Sequence, residues 1–289
     1  FEIRYNENRP FFTEGTDLFN KAGLFYSRRI GQVPNIELEE GDDITNIPTS
    51  IPIINATKIS GRNKKNLGIG VFNAITNETF LTIGNENSSR EELLQPLTNY
   101  NLIVLDQTFN KNSSITFTNT NVNRFNTNYR KSNVSSLLIN LTEKKNIYNL
   151  TSKINFSNIT EENTKELGFL SLIKAEKIKG KFRFEISNYI ESDKYDHNDL
   201  GYLRDNNEVV TNLALGYYIF EPIGKIIKAE TELWGEYKTL YKPFEYKQLQ
   251  IESKIHVVWK NHLFSGFNIK YNFEEHDYNE SRSNGRVFI

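Results

Sequence analysis

A chain of 289 residues carrying 35 Lys+Arg against 36 Asp+Glu, a formal net charge of -1, offers neither a basic field for nucleic acid nor an acidic tail. With no cysteine it can have no disulfide framework, thiolate metal centre or cysteine nucleophile. No run of about 18 apolar residues occurs, which excludes a helical membrane span, whereas a mean hydropathy of -0.56 leaves a transmembrane barrel open, because barrel strands hide their apolar residues at alternate positions.

Residues 1–50 are expected to form an ordered segment ahead of the strands, a plug or docking element. Arg9, Arg28 and Arg29 stand there among Phe11, Phe12, Phe19, Phe25 and Tyr26. Such a segment either places guanidinium and aromatic anchors against a partner or packs inside its own barrel. Residues 34–50, with Pro34, Pro48 and the acids Glu39, Glu40, Asp42 and Asp43, read as a solvated connection rather than a calcium loop. The remainder, 51–289, is expected to be barrel strands and loops.

Strands are predicted at 53–60, 67–75, 78–83, 101–109, 114–119 and 135–141, and one helical turn at 91–94. From about Ser135 the alternation is stronger. Phe182, Phe184 and Ile186 alternate with Arg183, Glu185 and Ser187, and Leu213, Leu215, Tyr217 and Ile219 with more polar neighbours. Ile227, Ala229, Thr231, Leu233 and Tyr237 share a face opposite Lys228, Glu230, Glu232, Glu236 and Lys238. The following run sets Leu249, Ile251, Ile255 and Val257 against Glu252, Lys254 and His256, and Phe267, Ile269, Tyr271 and Phe273 close the series. These runs reach about 10 residues, the length of a tilted strand crossing a bilayer, where soluble strands average about 5–6. Tight turns at 144–146, 177–180, 222–224 and 260–262 alternate with longer connections at 158–166, 191–208 and 240–247, the asymmetry of an outer-membrane barrel. A long-stranded soluble β-sandwich is the alternative. A first residue of Phe and the absence of methionine suggest a processed or incomplete chain, and about eleven strands suggest an incomplete barrel.

Several stretches of wording resemble one family. Arg9-Pro10-Phe11-Phe12-Thr13-Glu14-Gly15, Asp17-Leu18-Phe19 and Leu24-Phe25-Tyr26-Ser27-Arg28-Arg29-Ile30-Gly31 are similar to the opening of the domain-of-unknown-function 5916 family. The likeness continues through Lys58–Arg62, Gly70–Thr76, Ser114–Val122 and Asn198-Asp199-Leu200-Gly201-Tyr202-Leu203-Arg204, and returns at His276-Asp277-Tyr278 with Arg282, Gly285 and Arg286. The resemblance implies the start and middle of a β-barrel region that follows a carbohydrate-binding-like domain; it implies no biochemical activity.

Asp193, Asp196, His197 and Asp199 have the side chains of a calcium or other metal site within one loop, but the same residues suit a structural turn whose Asp bonds nearby backbone donors. Metal candidates are therefore Asp193, Asp196 and Asp199. His256 near Glu252 reads as a lumen-facing polar pair before a proton shuttle. Asn-X-Ser/Thr triplets such as those at Asn55, Asn77 and Asn133 follow from an Asn-rich and Ser/Thr-rich composition. No nucleophile elbow, phosphate loop or dinucleotide fingerprint is present, so no catalytic residue and no cofactor is expected. The sequence thus predicts an all-β antiparallel transmembrane barrel in the bacterial outer membrane, with lipid and other outer-membrane proteins as partners and a channel, transport, secretion or assembly role. Glycan binding or processing at the cell surface is the alternative. Its lumen charges, Lys228, Glu230, Glu232, Glu236, Lys238, Glu252 and Lys254, are expected to pair with one another or with Arg9, Arg28 and Arg29.

Overall fold

The computed structural model describes residues 5–34, 44–85, 88–110, 112–125, 129–162 and 164–278. The acidic cluster Glu39, Glu40, Asp42 and Asp43, and Arg282, Gly285 and Arg286, lie outside them. The chain is an all-β antiparallel structure. The strands are β1 (Ile44–Asn46), β2 (Ile53–Arg62), β3 (Leu67–Thr76), β4 (Thr79–Asn85), β5 (Ser88–Gln95), β6 (Thr98–Phe109), β7 (Ser113–Arg124) and β8 (Lys131–Thr142). They continue as β9 (Tyr148–Glu161), β10 (Thr164–Lys177), β11 (Phe182–Glu191), β12 (Glu208–Ile219), β13 (Ile226–Leu240), β14 (Tyr246–Trp259) and β15 (Phe264–Asn272).

Twelve of them form one sheet, a meander running β15 to β6 and then β3 and β2, with β2 and β15 at its edges and no closing pair between them among the described residues. β1, β4 and β5 make a separate three-stranded sheet, in which the hairpin β4–β5 between β3 and β6 is joined by β1 from ahead of β2. The run 91–94, predicted as a helical turn, is part of β5. Its Ser-Arg-Glu-Glu-Leu-Leu composition favours helix, but pairing of Ile83 with Arg90 and Phe80 with Leu93 satisfies the backbone across a hairpin, and tertiary pairing overrides a weak local preference.

β9 and β10 were not among the predicted strands. The expected long connection at 158–166 is also absent, since β9 runs to Glu161 and pairs directly with Thr164. The four predicted tight turns do lie at one end of the sheet, and the connections 192–207 and 241–245 at the other.

Register assigns the faces. The rows Ile69-Leu105-Phe117-Leu137-Ile154 and Val71-Ile103 point one way, as do Ile186-Leu213, Leu215-Leu233 and Ile255-Phe267. This apolar face is exposed: Phe156 is 56%, Ile173 56%, Leu213 47% and Phe267 57% accessible. Alternate residues form the opposite face, where Thr116, Thr118, Thr120, Ser132, Ser136, Asn155 and Ser157 are buried beside Phe72, Leu102, Val104, Val122 and Val134. The hydrophobic pattern of a soluble sheet is therefore largely reversed.

Residues 5–34 and the 192–207 connection cover that inner face. Phe12, Phe19, Phe25 and Ile30 join Phe72, Tyr100, Leu102, Val104, Val122 and Leu200 in one core, and Ala22 and Leu24 join Val134, Leu170 and Tyr195 in a second. Each large side chain buried this way contributes about 1.5–3 kcal/mol. Gly70 lets the Phe19 ring lie flat on β3, because a Cβ there would come within 2.8 Å of a ring carbon. At Gly168 the approach is backbone to backbone, 2.3 Å from an added Cβ to Lys194 and Tyr195. Gly168→Ala is accordingly expected to destabilise the fold by about 1–3 kcal/mol through overpacking. Proteolysis within 192–207 should become faster in that variant; an unchanged cleavage rate would contradict the close docking.

Candidate functional site

The two most distinctive blocks of the sequence, 9–31 and 196–204, meet at the long-connection end of the inner face. Arg9 organises the first. Its Nη1 donates to Ile30 O (3.0 Å) and its Nη2 to Ser27 O (2.9 Å), while Glu7 takes its Nε and Nη2 and also accepts from Ser27 Oγ (2.6 Å). The Arg9 guanidinium lies 4.1 Å over the Phe12 ring, which joins the helical turn Pro10–Thr13 to the end of the segment. Burial disfavours the Glu7 carboxylate, but the bonds from Arg9 and Ser27 outweigh it and hold its pKa down at about 2.

The second block is a turn built by Asp196 and Asn198. Asp196 Oδ1 accepts from Asn198 N (2.8 Å), and Asn198 Oδ1 accepts from Leu203 N (2.7 Å) and from Arg29 Nη2 (3.0 Å). Tyr26 N donates to Leu200 O (2.7 Å) and Arg29 Nε to Gly201 O (2.9 Å), stitching the blocks together across 172 residues of sequence. Asp199, expected to cap this turn, turns away and meets the sheet. Arg124 Nη1 donates to its Oδ1 (2.7 Å) and Arg130 Nε to its Oδ2 (2.9 Å), while Arg130 Nη2 also reaches Asp196 (2.6 Å). Burial opposes ionisation of Asp199, yet the two guanidiniums hold its pKa below the usual carboxylate range.

Asp196 and Asp199 therefore face cations of the protein, and among the described residues no group of three or more His, Asp or Glu is arranged to hold a metal ion. Asp193 lies apart, 3.8 Å from Lys242. A further charged tie reaches the sheet at Asp106, fully buried on β6, where Lys21 (2.7 Å), Arg62 and Thr116 Oγ1 (2.7 Å) converge.

The expected pairing of the segment's arginines with β13 and β14 is not how these charges are placed. Arg9 and Arg29 are bound as above, and Arg28 Nε donates to Asn6 O (2.7 Å). The strand charges pair locally: Lys228 with Glu230 (3.3 Å), Lys238 with Glu236 (2.9 Å) and Lys254 with Glu252 (3.1 Å). His256 meets Glu230 across the strands (3.0 Å) rather than Glu252, and Tyr218 donates to Glu232 (2.6 Å). Salt-bridge partners two residues apart on one strand face are nearer than anything on the segment, which packs on β3 and β6–β10 instead.

Between the two blocks and the sheet lies a cavity of about 970 Å³, lined by Arg9, Arg28, Arg29, Arg124 and Arg130, by Asp196 and Asp199, and by Tyr26, Gln95 and Tyr100 among others. Glu7, Lys21, Arg62, Asp106, Arg124 and Arg130 were not among the residues read as functional from sequence. The signal for Asp106 was available, as a lone carboxylate inside the strand Leu102-Ile103-Val104-Leu105-Asp106. Neither the curated proteins nor the solved structures hold a match to this chain. The chain belongs to the family described as Domain of unknown function (DUF5916), whose model matches residues 1–289.

Proposed function

We propose that this chain forms the wall and internal plug of a bacterial outer-membrane β-barrel, a non-enzymatic component of a transport, secretion or assembly complex. The observation that carries the reading is the exposed apolar face running across the sheet, opposite an inner face where many polar residues are buried among the core side chains. In water such a face is an aggregation hazard; against lipid it is the expected surface.

Three further features support it. The strands of the large sheet span 9 residues in β15 to 15 in β13, enough to cross a bilayer at a tilt. Exposed aromatics lie on the outer face near both ends, Tyr148, Phe182 and Tyr217 toward the short turns and Tyr237 and Tyr271 toward the long connections, as interfacial girdles do. Toward the long connections the apolar rows also give way to an asparagine ladder, in which Asn73 bonds Asn101 (2.9 Å) and Asn119 bonds Asn133 (3.1 Å).

The reading requires β2 and β15 to be paired in the membrane, with each other or with further strands, because hydrocarbon leaves open edges unsatisfied. It also makes the inner face a lumen closed by residues 5–34 and 192–207. The protein should accordingly need detergent for extraction and pass little steady current in a planar bilayer, and deletion of residues 1–31 should open it. A detergent-free monomer burying its apolar face against a second sheet would defeat the membrane reading, and a large wild-type current would defeat the closed lumen.

A further inference from the structure

We propose that the arginine-lined cavity binds a multiply charged oxyanion ligand, one bearing phosphate or carboxylate groups. Among the described residues five guanidiniums line it and two carboxylates, Asp196 and Asp199, do so; counting Glu7 behind Arg9 brings the acids to three. The surplus is concentrated where the wall already excludes bulk water on one side, so an anion entering gains more from each guanidinium than it would at an open surface. The volume of about 970 Å³ is at the upper end of small-ligand sites, room for more than a single ion.

The three arginines bound to acids are fixed in place: Arg9 by Glu7, and Arg124 and Arg130 by Asp199. Arg28 is different. Among the described residues it donates only from Nε, to Asn6 O, and its two terminal amino groups form no hydrogen bond or ion pair. Those planar donors match the spacing of two oxygens on a phosphate or carboxylate. Tyr26, Gln95 and Tyr100 add neutral hydrogen-bonding groups to the lining. A neutral sugar would use the latter and leave the charge unanswered, which is why the chemistry selects an anion. The inference holds whether or not the sheet sits in a membrane.

Titration calorimetry on the full-length protein in detergent tests it, with inositol hexakisphosphate as the phosphate probe, tetragalacturonate as the carboxylate probe and maltotetraose as the neutral one. At least one anionic probe is expected to bind, and which one identifies the group recognised. Arg28→Ala should weaken that binding by about tenfold or more, roughly the loss of one charge-assisted contact. Lys225→Ala, which removes an exposed positive charge at the opposite end of the sheet, should leave it unchanged. Because among the described residues the Arg28 side chain holds only Asn6 O and the edge of a cation–π contact with Tyr5 (6.0 Å), both outside the sheet, its removal should preserve the strand circular dichroism, and Arg28→Lys should retain part of the affinity. Failure of both anionic probes to bind at millimolar concentration, equal binding of maltotetraose, or equal weakening by Lys225→Ala would each overturn the proposal.

Discussion

Asp199→Ala is expected to destabilise the protein by about 3–5 kcal/mol, the range for removing one partner of a buried ion pair and leaving the other uncompensated. Its carboxylate is 4% exposed and takes a donor from each of Arg124 and Arg130. Arg130 keeps Asp196 at 2.6 Å after the change, but Arg124 loses its carboxylate and retains only the Arg130 carbonyl at 2.7 Å. The lower end of the range is therefore expected for Asp199→Asn, which preserves shape and some hydrogen bonding while removing charge. Because the folded pKa of Asp199 is depressed, its stabilisation is complete above the unfolded carboxylate value of about 3.9 and is lost as pH falls through the lower folded value. Denaturant unfolding in detergent, followed by the loss of sheet signal, measures both effects. A midpoint unmoved by Asp199→Ala would mean that the loop is not held to the sheet through this carboxylate.

Much of the strand architecture was legible because period-two alternation survives any context in which one face is apolar. The runs at 182–187, 212–219, 227–238 and 267–273 became β11, β12, β13 and β15 with little adjustment. β9 and β10 escaped because their outer rows are broken by polar residues, Ser152 between Leu150 and Ile154, and Ser171 between Phe169 and Ile173. The site was legible only as separate parts. Arg9, Arg28 and Arg29 stood out among aromatics, and Asp196 and Asp199 among loop acids, but their partners were fixed by register and by the fold-back of 192–207 onto Gly168. Arg124 and Arg130 flank a connection between β7 and β8, and nothing local marks them as ligands of an aspartate 69 residues or more away. Long-range charge pairing of this kind follows from topology, which a single sequence does not specify. The same reasoning explains why Lys228, Glu230, Glu236 and Lys238 meet only one of their two expected sets of partners: they pair among themselves and their strand neighbours, while the N-terminal segment lies over β3 and β6–β10 rather than β13 and β14.

The loop 192–207 should loosen between about pH 6.5 and pH 4, before Asp199 is protonated, and His197 is the reason. Its ring is 8% exposed, lies 5.3 Å from the Tyr195 ring, and leaves Nδ1 without a hydrogen-bond partner. Burial first, and then the positive charge of Lys153, lower its pKa to about 4, against the opposing pull of Asp196 and a bond to the Tyr202 backbone. The neutral ring is thus what the fold accepts. Below its unfolded value of about 6.5 the free histidine takes a proton that the folded one refuses, so stability falls as pH drops and the loss is complete once the folded value is passed. A difference of that size corresponds to about 3 kcal/mol, enough to release a connection that contributes Tyr195 and Leu200 to the two cores. His197→Phe keeps an aromatic ring beside Tyr195 and cannot be protonated, at the cost of the Tyr202 bond. Its cleavage rate within 192–207 should be flat between these pH values, while the wild-type rate rises as pH is lowered. If both proteins show the same slope, the acid response originates elsewhere and the neutral histidine is not what holds the loop closed.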